Sequence, residues 1–404
     1  MKNKKIVIAG TSTFTVKNLG DEAMLVNLVQ SIRRYRNKAK IILICRHPSK
    51  KIDKLYNLKT IKNLEFDKKE DSINNFFYGF NSNKKSKNLE KIKDIFASSD
   101  ELILAGNIFM ELVPNTFLRG LASYGSTLGI IAKFFNLKIF LTALNVLSVP
   151  RDNLVKQYIN FFSRICEKAV VREKNAYKNL VHTNFDKRKL FIKGDPAFGI
   201  EIEKNKISKE YLKYSFKEKT IGVCLRLEYW KYKNKKADSI FFKKHARILS
   251  ILSKKTNTNL LFVPNGFYNY GWMDDRLVHN KIIKYLDKKV KYKVIKKELN
   301  VFEAAHLVSK VDFHYTNRRH SAVFAFIANK SAAVINTNLQ GHLDPLVKDL
   351  NIKENLINFN FKSQIILKKL FLLWKNRIKT SKKIKPKVEK LKKSAKQQYK
   401  FLIS

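Results

Sequence analysis

The chain has 404 residues, with 82 Lys and Arg against 33 Asp and Glu, a formal net charge of +49. Its length suits two domains of ordinary size, and 45% hydrophobic residues supply a sizeable core, which excludes a disordered chain. Three scattered cysteines, Cys45, Cys166 and Cys224, with no CxxC pair, exclude a disulfide framework and point to a reducing compartment.

Lysine supplies most of the charge, so the surface must be strongly positive and attract acidic partners: anionic lipid, nucleic acid, or acidic small molecules and glycans. The N-terminus, MKNKKIVIAG, has too short an apolar run for a signal peptide and reads as a first strand, Ile6 to Gly10. A loop, TSTFTVKNLGDE, leads to a helix near Asp21 with Met24, Leu25, Leu28, Val29, Ile32 and Tyr35 on one face. Strand Ile41 to Cys45 completes a strand–loop–helix–strand unit. The loop with Asn18 and Gly20, followed by Asp21 and Glu22, sits where doubly wound folds bind ligands. The two acids also suit the first turn of a helix.

Residues 49 to 98 are rich in lysine and asparagine and read as a surface excursion. Strand Leu102 to Ala105 ends at Gly106, which permits a tight exit, and Glu111 follows shortly after. Helix 124–135, strand 138–143, helix 153–166 and strand 168–171 continue the alternation. Arg172 stands directly after the last of these. Helix 176–181 and strand 190–192 lead to GDPAF, whose Asp-Pro closes the first half. The region 121–149 is the most apolar, but Lys133, Asn136, Lys138 and Asn145 interrupt it, so it reads as helix and strand, not a membrane span.

The expected division is an N-terminal α/β domain over 1–200, a linker over 201–219, a second α/β domain over 220–360 and a basic helical tail over 361–404. The second half opens at Ile221 to Arg226, again with an arginine at a strand's carboxyl end. Helices 239–252, 274–285 and 301–308 alternate with strands 260–263 and 293–295. Tyr315 to Asn336 then brings a cationic cluster, Thr316, Asn317, Arg318, Arg319 and His320, to the start of an apolar helix. A helix N-terminus favours anions. Arg318 can grip a phosphate or carboxylate with two parallel hydrogen bonds, and His320 can move a proton near neutral pH. The fold class is therefore α/β, two doubly wound Rossmann-like domains facing a cleft. Arg172, Arg226 and Arg318 are expected to converge there as unpaired cations.

From Ser363 the tail is helical, with Ile366, Leu367, Leu370, Phe371 and Trp374 on one face. Pro386 suits a first helical turn, and Val388, Leu391, Ala395, Tyr399 and Leu402 repeat beyond it. The stripe is expected to pack back on the N-terminal domain, leaving lysines able to meet anionic head groups.

Several segments together resemble the polysaccharide pyruvyl transferase family: NLGDEAML (Asn18 to Leu25), VVREKNAYKNL (Val170 to Leu180), GDPAF (Gly194 to Phe198), IGVCLR (Ile221 to Arg226) and TNRRHSAVFAF (Thr316 to Phe326). The resemblance implies a two-domain fold like that of B-type glycosyltransferases. It implies transfer of pyruvate from phosphoenolpyruvate onto two hydroxyls of a sugar, in a cell-surface polysaccharide or its lipid-linked precursor. Arg318, Arg226, Arg172 and Thr316 would then bind the donor anion, with His320 and Glu111 as acid and base. No cofactor or metal is expected beyond phosphoenolpyruvate as co-substrate. The family's glycine-rich segment is reduced here to Gly106-Asn107, Glu111 stands in place of its aspartate, and NTNLQGHLD replaces its pattern after the second-domain strand.

A second reading is a nucleotide-sugar glycosyltransferase on the same fold, with Glu303 and Phe302 meeting the nucleotide. A third is a non-catalytic basic member at the membrane surface. A specific nucleic-acid partner is not expected, because the lysines are spread along the chain and no binding module is visible. The expected location is the cytoplasm, with the tail able to reach the inner face of the membrane.

Overall fold

The structure is a computed structural model describing residues 4–10, 18–64, 87–109, 121–227, 235–267, 274–337 and 343–404. Glu111 lies outside the described residues, as do 338–342 of the segment after the second-domain strand. The chain forms two compact units. The first comprises Met1–Val16, Asp21–Ile200 and Lys393–Ser404; the second comprises Lys17–Gly20 and Glu201–Lys392.

The first unit runs β1 (Lys5–Gly10), α1 (Leu19–Tyr35), β2 (Lys40–Cys45), α2 (Lys50–Tyr56), β3 (Lys59–Lys62), α3 (Lys87–Ala97), β4 (Glu101–Ala105), α4 (Leu121–Phe134), β5 (Lys138–Leu144), α5 (Asn153–Ile165), β6 (Lys168–Val171), α6 (Lys174–His182) and β7 (Leu190–Ile192). Among the described residues the sheet has seven strands in the order β3-β2-β1-β4-β5-β6-β7, all parallel. Ile6, Val7 and Ile8 are all fully buried, because a parallel sheet is covered on both faces and its strands read as continuous apolar runs. Leu25, Leu28 and Ile32 of α1 pack on one face with Ile6, Ile8 and Ile103. The other face carries Val7, Leu102 and Leu104 with residues of α4 and α5.

The expected excursion over 49–98 holds α2, the edge strand β3 and α3. The last of these buries Ile92 and Phe96. β3 (KTIK) was hidden because it is short, lies at the sheet edge and carries lysines at both ends.

The second unit runs α7 (Lys209–Leu212), β8 (Thr220–Cys224), α8 (Lys235–Thr256), β9 (Asn259–Phe262), α9 (Asp275–Ile283), β10 (Tyr292–Val294), α10 (Val301–Ser309), β11 (Phe313–Thr316), α11 (Arg319–Ile327), β12 (Ala332–Asn336), α12 (Asp344–Asp349), β13 (Leu356–Asn358), α13 (Ser363–Lys375) and the first part of α14 (Arg377–Lys396). Its sheet, six strands among the described residues, is parallel in the order β10-β9-β8-β11-β12-β13. Residues 201–219 fold as part of this unit, with Tyr211 of α7 buried.

The tail divides between the units. Ile366, Leu370 and Leu373 of α13 join the core of the second unit, with Leu367, Phe371 and Trp374 partly buried against it. The α13 part of the stripe thus packs on its own unit, not on the N-terminal one, because α13 directly follows β13 and lies against α8, whereas the last part packs on the N-terminal unit. Tyr399 and Leu402 of α15 (Gln398–Ile403) complete the core of the first unit. Pro386 does not open a helix but lies inside α14. It is exposed, as is Lys382 one turn earlier, while Ile384 and Val388 are fully buried. The carbonyl that the proline leaves without a donor is therefore on the solvent side, where water satisfies it.

Candidate functional site

In open parallel sheets, ligands bind beyond the carboxyl ends of the strands where the strand order reverses. In the second unit that point lies between β8 and β11. The sequence places Arg226 just past β8, and Asn317, Arg318 and His320 just past β11. Asn317, fully buried, holds the two exits together: Arg226 N–H donates to its Oδ1 at 2.9 Å, and its Nδ2 donates to Arg226 O at 2.8 Å. Its side chain thereby continues the sheet ladder by one rung. Arg226 itself is half-buried.

Arg318 is 7% exposed and faces Asp275, which is 0% exposed at the start of α9. Its Nε lies 3.1 Å from Asp275 Oδ1 and 3.2 Å from Oδ2, and its Nη2 also donates to Oδ1. Asp275 Oδ2 accepts further from Asn265 N and Gly266 N, both at 2.9 Å. The expectation of an unpaired cation is corrected: a buried guanidinium needs a carboxylate, and the fork edge of Arg318 serves Asp275. Asp275 went unassigned in the sequence. Its only signal was an acidic pair, Asp274-Asp275, at a predicted helix start in a strongly basic chain.

Thr316 is fully buried, and its hydroxyl donates to Cys224 O at 2.7 Å and accepts from Arg318 N at 2.9 Å. It therefore orients the turn instead of presenting a hydroxyl to a ligand. His279 Nε2 accepts from Leu225 N at 3.1 Å, and burial pulls its titration down to about 4, fixing it as a neutral acceptor. Burial also pulls His314 down to about 3, with its Nε2 2.7 Å from Ser321 Oγ. Burial, then the Asp275 carboxylate, pushes the Cys224 thiol up. These groups pin the strand ends.

His320, half-buried in the first turn of α11, lies against the loop that opens α1. A Cβ built on Gly20 would fall 2.1 Å from His320 Nδ1, so only glycine fits there. The loop is fixed by Leu19 N–H donating to Asn265 O at 2.9 Å and Gly20 N–H to Asn18 Oδ1 at 3.1 Å. Asn18 also forms a bridge with Gly266. Asn18 to Gly20 and His320 thus meet within the second unit.

The remaining expected site residues belong to the first unit. Arg172 is 4% exposed; its Nη2 donates to Asn107 Oδ1 at 2.7 Å, and its Nη1 lies 3.7 Å from Asp195 Oδ2. Arg172 is therefore also paired, tying the exit of β4 to the GDPAF turn. Gly106, just before Asn107, has φ +91°, which explains the glycine at that exit. Asp195 Oδ1 also accepts from Ala197 N at 3.0 Å. Glu22 accepts from Tyr56 OH, and Asp21 is buried in the first turn of α1.

Glu303 and Phe302 have structural roles. Glu303 closes a capping box with Asn300, accepting from its N–H at 2.9 Å, and Phe302 is fully buried. Among the described residues no group of three or more His, Cys, Asp or Glu side chains gathers to hold a metal.

A family model described as polysaccharide pyruvyl transferase matches residues 18–338. Among solved structures, UDP-GlcNAc 2-epimerase of Methanocaldococcus jannaschii is similar with a TM-score of 0.63 at 12% identity, over 93% of this chain and 92% of that one. The enzyme of the same name from Neisseria meningitidis, bound to UDP-GlcNAc, gives 0.60 at 12% identity over 99% of each chain. The Anabaena protein HepE in complex with UDP-glucose gives 0.56 at 13% identity, over 97% of this chain and 94% of that one. At these identities the likeness is one of fold: two Rossmann-like α/β units, glycosyltransferase-B-like. No curated protein sequence matches the chain.

Proposed function

Since the chain belongs to the polysaccharide pyruvyl transferase family, a family of transferases, we propose that it moves pyruvate from phosphoenolpyruvate onto two hydroxyls of a sugar. The acceptor would be a cell-surface polysaccharide or its lipid-linked precursor. The observation that carries this reading is the gathering of Arg226, Arg318 and His320 at the strand-order reversal of the second sheet, with Gly20 against the imidazole.

The chemistry suits those residues. Phosphoenolpyruvate carries a carboxylate and a phosphate, which calls for fixed positive charge. Protonation of its methylene carbon makes C2 an oxocarbenium-like centre. One sugar hydroxyl adds to C2 and loses its proton. The C2–O bond to phosphate then breaks, and the second hydroxyl adds and loses its proton, closing the ketal. Phosphate is released. In this reading Arg226 meets the donor anion, and Arg318 supplies a fixed charge whose orientation Asp275 sets. His320 serves as acid or phosphate contact. Glu111 is the candidate base toward the acceptor.

The test is thermal stabilisation of the purified protein at moderate salt by phosphoenolpyruvate, nucleotide sugars and plain phosphate. A ligand that binds only the folded state raises the melting point by mass action. Selective stabilisation by phosphoenolpyruvate, reduced in Arg226→Gln and His320→Gln, is expected. Stabilisation by a nucleotide sugar instead would overturn the donor assignment in favour of a glycosyltransferase-like activity. A response to phosphoenolpyruvate no larger than that to phosphate would also reject it.

A further inference from the structure

In the second unit, α13 buries Ile366, Leu370 and Leu373 and turns a different set outward. Ile365, Lys368, Lys369, Leu372 and Lys375 are all exposed and recur three or four positions apart, so they form one face of the helix. Ile365 is 46% exposed and Leu372 59%. Ile378, at the start of α14, is 62% exposed. Residues 361–392 carry twelve Lys and Arg and one acid, Glu389. No helix among the described residues is long and apolar enough to cross a membrane.

We propose that the outer face of α13, continued in sequence by the exposed Ile378, is a docking surface for an anionic phospholipid bilayer. Two features choose the occupant. The charge is of one sign and set on flexible stems, which suits a plane of phosphate head groups. The large aliphatic side chains stand among the lysines, where they can enter the boundary between head groups and acyl chains. A nucleic acid would use the lysines, but its charged backbone gives a row of exposed isoleucine and leucine no apolar medium to enter. The surface is built entirely within the second unit, and the proposal does not depend on the pyruvyl transfer reading.

The test is co-sedimentation of the full chain with vesicles of phosphatidylcholine alone and of phosphatidylcholine with about a third phosphatidylglycerol. Because a chain of this charge adheres to any anionic surface, the deciding comparison is between variants. Changing Ile365, Leu372 and Ile378 together to Gln keeps the charge and, at exposed positions, keeps the fold. It is expected to weaken partition into anionic vesicles by roughly tenfold and to leave retention by a short DNA duplex unchanged. Lys368→Glu with Lys369→Glu and Lys375→Glu should weaken vesicle binding further than charge reversal at Lys288, Lys289 and Lys291. Equal partition of the Gln variant and the unaltered chain overturns the proposal. So does equal loss from the two charge reversals, or loss of duplex retention in the Gln variant.

Discussion

Gly20 and His320, far apart in the sequence, are in contact: the imidazole Nδ1 lies 2.1 Å from where a Cβ on residue 20 would stand. The glycine is thus required by the histidine and not by a turn. Gly20→Ala is expected to push the ring from its place and cost about 1–3 kcal/mol as overpacking does. Urea denaturation reads the cost, and the His320 ring resonances read the displacement. Unchanged stability together with unchanged resonances would reject the contact.

Asp275 and Arg318 form a buried ion pair whose partners cannot be removed singly without stranding a charge. Asp275→Ala and Arg318→Met should each destabilise the second unit by about 3–5 kcal/mol. The double variant should cost clearly less than the sum, since it strands no charge and leaves only the Asn265 and Gly266 N–H groups without their acceptor. Additive losses in a double-mutant cycle would mean that the two side chains act independently.

The buried histidines make stability depend on pH. Burial lowers His279 from 6.5 to about 4 and His314 from 6.5 to about 3. Between those values and 6.5 the unfolded chain binds more protons than the folded one. Stability is therefore full above pH 6.5 and is lost as pH falls toward 4 and then 3. His279 alone should remove about 3 kcal/mol by pH 4, at about 1.4 kcal/mol per unit. His279→Gln, which keeps an acceptor for Leu225 N–H, should flatten the decline between pH 6.5 and 4. A slope as steep as that of the unaltered chain would show that His279 does not contribute.

Tyr399, in the last helix, donates to Glu101 Oε2 at 2.9 Å, and Arg36 Nη2 lies 3.5 Å from Glu101 Oε1. Tyr399→Phe leaves the 3% exposed carboxylate with one partner fewer and should cost about 1–3 kcal/mol. Deleting residues 393–404 should cost far more, because it uncovers the face that Tyr399 and Leu402 bury. A truncated chain with the melting point of the full one would contradict that packing.

Much of the fold was legible because both sheets are parallel and buried. Runs such as Ile6 to Ala9 and Ile221 to Cys224 must be apolar throughout, and α1 and α13 announce their buried faces by spacing. β3 was not legible, since an edge strand flanked by lysines lacks that pattern, whereas α3 carries it in Leu89, Ile92, Ile95 and Phe96 but within a stretch whose lysines and asparagines read as surface. The site was legible as residue types: Arg318 and His320 stood out as cations at a helix start, and Gly20 as part of a motif.

The sequence by itself determined two doubly wound α/β units, an excess of positive charge, and which strand ends carry arginine. Only the tertiary structure decided which of those charges are neutralised. Arg172 and Arg318 read alike along the chain as cations after a strand. Each is buried against a carboxylate far away in sequence, Asp195 in one unit and Asp275 in the other. Pairing, exposure and the fit of His320 to Gly20 depend on distances between distant segments, and no local pattern of residues encodes them. The same holds for Ile365 and Leu372: their exposure follows from which face of α13 the core of the second unit takes up.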